Sequence, residues 1–229
     1  MPEPRPVLLV WVDLRGFKRY TLGSRTAALH GRGILGDLVG ALKARLAGPL
    51  ELVREDREGL FLLVDPLPDE ATSDARPPLL AQLLALLEAF TLAQGHLMAA
   101  NGCRCEACQA VGRIRLKLFV HAGEALVRRN GGRPEVSGAD VNLAHRIREK
   151  DLHAESHLLL SLPAWEALGR PEGLDRVALG GASAELPEGC LFTPEEAPGL
   201  PLASRWQRLK LMVRKACWEL KVTPQDAKA

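Results

Sequence analysis

The chain has 229 residues, of which 47% are hydrophobic, 25% charged and only 4% aromatic, and its formal net charge is +2. This length is enough for one domain with its own hydrophobic core. So small a net charge, spread along the chain without a block of one sign, gives no ground for a nucleic-acid or membrane partner. The apolar run 7–12 is too short to cross a bilayer and no secretory signal is visible, so we expect a cytoplasmic protein.

The hydrophobic pattern predicts strands and helices between residues 7 and 168. The continuous apolar run 7–12 is typical of a central strand buried on both faces, and Ser24 is a candidate N-cap for the helix that follows. Strands at 50–54 and 59–64 enclose a charged stretch and suit a hairpin. The further predicted elements are a deeply buried helix at 79–100, strands at 114–120 and 124–129 joined by a turn at Gly123, a helix at 139–150 and a strand at 157–162.

The order β-α-β-β-α-β-β-α-β indicates an α+β fold with one mixed sheet and helices packed mainly against one face. The pattern weakens after Leu168, where Pro and Gly are frequent. We therefore expect one domain at 1–170 and a C-terminal extension at 171–229 that completes or flanks it. A basic helix is predicted near 205–221, and such a helix is more often a solvated face than a nucleic-acid surface.

Acidic and polar residues that suit chemistry at phosphorus recur in these elements. Asp13 ends the first strand and the adjacent hairpin carries carboxylates at 55, 56 and 58, so one carboxylate from each is expected to meet at one end of the sheet. They would repel each other unless a cation lay between them, and Mg²⁺ prefers one or two carboxylates together with phosphate oxygens. Asn142 and Arg146 share one helix face, where amide and guanidinium suit polyphosphate or ribose oxygens. The residues alone indicate metal-assisted transfer at phosphorus.

Three motifs resemble the catalytic domain of class III adenylate and guanylate cyclases. Asp13-Leu-Arg-Gly-Phe17 is similar to the first metal-site motif of that family, His121-Ala-Gly-Glu124 to its His-x-Gly-Glu turn, and Val141-Asn-Leu-Ala-His-Arg146 to its Val-Asn-x-Ala-x-Arg helix. Their order and spacing match too. The resemblance implies a ferredoxin-like cyclase fold, ATP or GTP as substrate, Mg²⁺ or Mn²⁺ as cofactor, and a homodimer with its active sites between the two domains.

The resemblance also implies roles for individual residues. Asp13 matches the first metal carboxylate, while Asn142 and Arg146 match the residues that bind ribose and stabilise the transition state. Arg54 and Glu135 fall at the two base-recognition positions, where adenylate cyclases carry Lys and Asp. The charge pattern of that pair is kept, but the choice between ATP and GTP does not follow from it. His121 is interpreted as structural, holding its turn by hydrogen bonds.

The second metal carboxylate is where this chain departs from the family. The family has a Gly-Asp pair in the hairpin, and this chain has Arg57-Glu58. The extra methylene of Glu58 moves the carboxylate by more than ~1 Å, roughly the scale at which misplacement lowers a rate ~10²-fold. Arg57 adds positive charge beside the ion. Two functions therefore stay open: an active cyclase, or a nucleotide-binding or regulatory module in which catalysis has lapsed.

Three cysteines at 103, 105 and 108 form a separate cluster, which in a cytosolic chain favours metal or redox chemistry over disulfides. A bacterial branch of cyclase-like proteins whose activity is not established carries a similar Cys-x-Cys-x2-Cys segment. Zn²⁺ normally takes four ligands, and Cys190, His96 and water are the candidates for the fourth. A structural zinc site is expected, with three reduced thiols at a buried helix end as the alternative. A zinc or redox sensor is a third function to consider.

Overall fold

A computed structural model describes residues 3–17, 24–56, 58–66, 79–148, 155–179, 186 and 188–194. The strands are β1 (Arg5–Arg15), β2 (Glu51–Asp56), β3 (Gly59–Val64), β4 (Arg115–Asn130), β5 (Arg133–Ser137), β6 (His157–Ser161), β7 (Asp175–Ala178) and β8 (Glu188–Phe192). The helices are α1 (Arg25–Lys43), α2 (Leu79–Ala99), α3 (Glu106–Gln109), α4 (Ala139–Arg148) and α5 (Leu162–Ala167), with a 3-10 turn at Val111–Arg113. The predicted helix near 205–221 lies outside the described residues.

The strands form one mixed sheet of eight, in the order β2-β3-β1-β4-β6-β8-β7, with β5 paired to β4. The β4–β6 pair is parallel, whereas β1–β3, β2–β3, β6–β8 and β7–β8 are antiparallel. Together with the helices this is an α+β architecture, as the order of predicted elements indicated. Strands β7 and β8 extend the sheet beyond β6 and were not predicted from the sequence.

The chain divides into two compact units. Among the described residues, the first unit comprises 3–13, 45–56, 58–66, 79–87, 116–148, 155–179, 186 and 188–194, and the second comprises 14–17, 24–44 and 88–115. Most strands and helix α4 belong to the first unit. Helices α1 and α3 belong to the second unit, which also holds the three clustered cysteines.

The packing of the core of the first unit determines which face of α4 is buried and which is exposed. Strand β1 is buried over eight consecutive residues and β3 over its whole length, which is the burial expected of central strands. Trp11 stacks on Phe61 across the β1–β3 pair, with ring centroids 4.5 Å apart. The apolar residues of α4, Leu143, Ala144 and Ile147, pack into the same cluster. The opposite face of α4 therefore lies toward solvent.

The two long helices follow from local signals. Ser24 caps α1, since its Oγ accepts a hydrogen bond from the backbone N–H of Ala27 at 3.1 Å, as predicted. Within the described residues, α2 is the one helix long and apolar enough to cross a membrane, with a hydropathy of 1.2. A helix in a protein core passes the same test, and Leu83 and Leu86 of α2 are fully buried, so this is weak evidence for a span.

The turn predicted at Gly123 is wrong. Strand β4 runs without reversal for 16 residues, from Arg115 to Asn130. The chain instead reverses at Gly131 and Gly132, which have φ angles of 58° and 83°, and β5 returns from there. A glycine inside a strand pattern marks either a turn or a close approach of another group, and at Gly123 it marks the second.

Candidate functional site

Asp13 and Glu58 lie at the same end of two paired strands. Asp13 is the register partner of Gly59, the residue after Glu58, in the antiparallel β1–β3 pair. A Cβ atom added to Gly59 would lie 2.2 Å from the carbonyl oxygen of Val12 and 2.9 Å from Oδ1 of Asp13, so this close approach requires glycine. Asp13 is buried and Glu58 half-buried. Arg57 lies outside the described residues.

Arg148, the last residue of α4, is the direct partner of Asp13. Its Nε donates to Oδ2 of Asp13 at 2.7 Å, and the two side chains are only 18% and 10% exposed. A guanidinium therefore already supplies positive charge to this carboxylate. No local pattern in the sequence points to Arg148, because 135 residues separate it from Asp13.

Asn142 and Arg146 lie on the exposed face of α4, as their spacing predicted. At 3.6 residues per turn, Arg148 projects roughly 120–160° around the helix axis from these two residues. Arg148 points toward Asp13 of the same chain, so Asn142 and Arg146 point away from it. The two groups of predicted site residues thus face different directions within one protomer.

Arg54 and Glu135 do not meet in this structure. Arg54 of β2 pairs with Asp56, with Nε and Oδ2 3.4 Å apart, and Oε1 of Glu135 on β5 accepts from Nδ2 of Asn130 at 3.3 Å. Both side chains are exposed, and β2 and β5 lie against each other. Their strands are neighbours, but the predicted base-recognition pair is not formed as a contact.

A bidentate ion pair joins β2 to β4 close by. Nη1 and Nη2 of Arg129 donate to the two carboxylate oxygens of Glu51 at 2.7 and 2.9 Å. The hydrogen bond from Arg129 lowers the pKa of Glu51, with burial acting the other way. Because the pair is solvent-exposed, it fixes geometry more than it adds stability.

Solved nucleotide cyclases have a similar architecture. The guanylyl cyclase Cya2 aligns with a TM-score of 0.55 at 18% identity, over 88% of this chain and 99% of that one. The adenylyl cyclase CyaB from P. aeruginosa aligns with a TM-score of 0.60 at 14% identity, over 87% and 100%. The guanylate cyclase domain of RhGC from Catenaria anguillulae, in complex with GTP, aligns with a TM-score of 0.52 at 9% identity, over 82% and 94%. The chain has the nucleotide cyclase catalytic-domain fold.

Comparisons of the sequence do not extend this likeness beyond the fold. A family model described as a protein of unknown function (DUF2652) matches residues 62–156. No curated protein matches the chain. At the identities found, the likeness to solved cyclases concerns the fold.

Within the cyclase fold, Gly123 lets the first turn of α4 dock against β4. Oδ2 of Asp140 accepts a hydrogen bond from the backbone N–H of Glu124 at 2.6 Å. A Cβ atom on Gly123 would lie 2.4 Å from that oxygen and 2.8 Å from Cβ of Asp140. The His-x-Gly-Glu motif therefore positions α4, and with it Asn142 and Arg146.

We expect Gly123→Ala to lower the free energy of unfolding by about 1–3 kcal/mol, since the added methyl group displaces Asp140 and its hydrogen bond. Urea unfolding measures this directly. Gly40→Ala is the matched control, because a Cβ atom there meets nothing within 4 Å in α1, and a helical Gly→Ala change is neutral or stabilising by up to ~1 kcal/mol. Equal stability of Gly123→Ala and the unmodified chain would contradict the docking role.

His121 of the same motif is buried and structural. Its Nδ1 lies 2.9 Å from Oγ of Ser161, which also caps α5. Burial lowers the pKa of His121, while the negative charge of Asp140 acts in the opposite direction. Its Nε2 has no hydrogen-bond partner among the described residues. A buried, neutral imidazole that anchors two strands agrees with the interpretation of His121 as structural.

The second unit contains a different candidate centre. The sulfur atoms of Cys103, Cys105 and Cys108 lie 3.6, 3.4 and 3.4 Å from Nδ1 of His30. His30 and Cys108 are buried, and Cys103 and Cys105 half-buried. His30 is thus the potential fourth ligand beside the cysteines, a position for which the sequence had suggested Cys190, His96 or water.

Cys190 lies elsewhere. It is buried on β8, where it is the register partner of Leu160 and Arg176, and burial raises the pKa of its thiol. A lone histidine on the buried face of a helix, such as His30 on α1, is most simply interpreted as a core residue. Only the fold shows that it faces three cysteines more than 70 positions away.

Proposed function

We propose that the chain is a nucleotide cyclase-like protein that binds a nucleoside triphosphate with Mg²⁺ or Mn²⁺ and converts it to a cyclic nucleotide between the two protomers of a homodimer. The observation that carries this proposal is the placement of Asp13 and Glu58 at one end of the β1–β3 pair, within a cyclase fold. The proposal includes a cytoplasmic location and no nucleic-acid or membrane partner.

The donor set at this end of the sheet suits a hard divalent cation. Carboxylate oxygens are the ligands that Mg²⁺ and Mn²⁺ take, usually with phosphate oxygens completing the shell. Asp13 already accepts a cationic group in this structure, the guanidinium of Arg148. Asp13 and Glu58 would hold the metal, which when bound stabilises charge on the phosphates and activates the ribose 3′-hydroxyl.

Exposed side chains of the protein would contact the ribose, the phosphoryl group and the base. Asn142 would orient the ribose by hydrogen bonds from its amide, and Arg146 would stabilise the negative charge that develops on the transferred phosphoryl group. Arg54 and Glu135 would approach the base from neighbouring strands. Each leaves its present partner, Asp56 or Asn130, to do so.

The directions of these side chains support a dimer. Asp13 faces Arg148, while Asn142 and Arg146 project away from Arg148 on the same helix. One triphosphate reaches both groups when they come from two chains, as a two-fold axis provides. In that arrangement each protomer contributes the metal carboxylates to one active site and the amide and guanidinium to the other.

The ion pair between Asp13 and Arg148 favours a second candidate function, a nucleotide-binding module that does not catalyse cyclisation. Arg148 holds one carboxylate oxygen at 2.7 Å, and Glu58 carries its carboxylate on a longer side chain than Asp. If Arg148 stays in place, a metal ion has to compete with its guanidinium for the carboxylate of Asp13. A module of this kind would sense a nucleotide or regulate a partner.

An assay of the purified 229-residue chain with ATP or GTP and either Mg²⁺ or Mn²⁺ separates these two functions. A cyclase forms cyclic AMP or cyclic GMP at a rate that depends on the metal concentration. Nucleotide binding by calorimetry without product, in both metals, supports the module. Neither binding nor product with either nucleotide rejects both functions.

A further inference from the structure

The His30–Cys103–Cys105–Cys108 cluster is the feature that the proposed function leaves unused. We propose that these four residues bind one structural Zn²⁺ ion, which ties helix α1 to the segment that precedes β4. All four belong to the second compact unit, whereas the residues proposed to bind nucleotide belong to the first. Zinc binding and cyclase activity are therefore tested by different measurements.

The distances in the cluster match a tetrahedral zinc site. With Zn–S at about 2.3 Å and Zn–N at about 2.0–2.1 Å, a regular tetrahedron separates nitrogen from sulfur by about 3.6 Å. The three observed separations from Nδ1 of His30 are 3.4, 3.4 and 3.6 Å. The four donor atoms all lie within 4.8 Å of one another. They therefore surround one point, as the ligands of a single metal ion do. The ligands of a two-iron iron–sulfur cluster would be divided between two metal positions.

Hydrogen bonding alone does not account for this convergence. An imidazole Nδ1 either donates one proton or accepts one, so it forms one good hydrogen bond within the ring plane. Three sulfur atoms approach this one nitrogen. A cation at their centre supplies the attraction that one proton cannot supply to three partners, and thiolates with imidazole are the ligands that Zn²⁺ favours.

The loop around the cysteines is built to hold them. Oδ1 of Asn101 accepts from the backbone N–H of Cys103 at 3.0 Å, and its Nδ2 donates to the carbonyl of Cys108 at 3.0 Å. The backbone N–H of Cys105 donates to Sγ of Cys103 at 3.5 Å, a contact that stabilises a thiolate. The Asn101 side chain thus hydrogen-bonds to the backbone at both ends of the ligand segment, which holds the three cysteines close together.

The ligand count makes the site structural. Four protein donors complete a tetrahedral shell and leave no position for water or substrate, unlike catalytic zinc sites, which have three. The ion would join His30 to cysteines 73 to 78 positions away, and closing so long a loop stabilises the folded state.

Metal analysis of the purified 229-residue chain tests the proposal. We expect about one zinc ion per chain after purification without chelator, and a loss of at least about tenfold in zinc content in His30→Ala and in Cys105→Ser. His30→Cys should retain zinc, because a sulfur at position 30 reaches nearly as far as Nδ1. His96→Gln and Cys190→Ala are matched controls, since both residues lie outside the cluster, and both should keep the zinc of the unmodified chain.

A measurement on the unmodified chain covers the case in which ligand variants fail to fold. Chelation should make three further thiols reactive toward a thiol reagent, and cobalt added to the chelated chain should give the thiolate charge-transfer absorption of a tetrahedral sulfur site. Iron in place of zinc, no zinc after repletion, or zinc retained in both His30→Ala and Cys105→Ser would each overturn the proposal.

Discussion

Asp13→Asn should reduce the formation of cyclic nucleotide by at least roughly 100-fold, because a neutral amide binds a divalent cation far more weakly than a carboxylate and leaves the metal misplaced. The loss should appear in kcat, since the interaction acts where charge develops in the transition state. Asn keeps the shape of Asp and still accepts a hydrogen bond from Arg148, so the fold should survive. Steady-state rates over a series of Mn²⁺ concentrations measure the effect.

Two variants separate the loss of a metal ligand from other consequences. Arg148→Met removes this ion pair but leaves the carboxylate, and without the competing guanidinium of Arg148 the variant should reach half-maximal activity at a lower metal concentration. Asp175→Asn neutralises an exposed carboxylate on β7 and should change nothing. Equal losses in Asp13→Asn and Arg148→Met would mean that the ion pair, and not metal binding, is what Asp13 contributes.

The central strands were predictable from the sequence because their signals are local. The apolar runs of β1 and β3 are continuous, as expected of strands covered on both faces, and the structure buries both. Ser24 was recognisable as a helix cap for the same reason. Asn142 and Arg146 could be placed on one helix face because a spacing of four brings two residues to the same side of a helix.

The parts that escaped prediction depend on contacts between distant segments. Strands β7 and β8 are only four and five residues long; β8 pairs with β6 and β7 pairs with β8, and this pairing stabilises them more than their own composition does. Gly123 was interpreted as a turn, whereas the close approach of Asp140 is what requires it.

The candidate sites show the same limit. The ion pair of Asp13 with Arg148 spans 135 positions, and the contacts of His30 with the cysteines span 73 to 78. Neither Arg148 nor His30 belongs to a recognisable sequence motif. Residue type and spacing therefore pointed to Asp13 and the three cysteines, and only the folded chain shows that Arg148 and His30 lie beside them.

The proposed sharing of each active site between two protomers leads to a second prediction with a large effect. If each active site takes Asp13 and Glu58 from one protomer and Asn142 and Arg146 from the other, then Asp13→Asn and Arg146→Ala damage different halves of every site. Each variant alone should be inactive. In a mixed dimer, one active site receives both substitutions. The other active site receives neither substitution and is therefore intact.

Cyclic nucleotide formation by an equal mixture of Asp13→Asn and Arg146→Ala chains, after subunit exchange, tests this most directly. Half of the dimers would be mixed and each would carry one intact site of two, so the mixture should recover about a quarter of the unmodified activity. A mixture no more active than either variant alone, while mixtures with the unmodified chain stay active, would show that the two groups do not meet across a dimer.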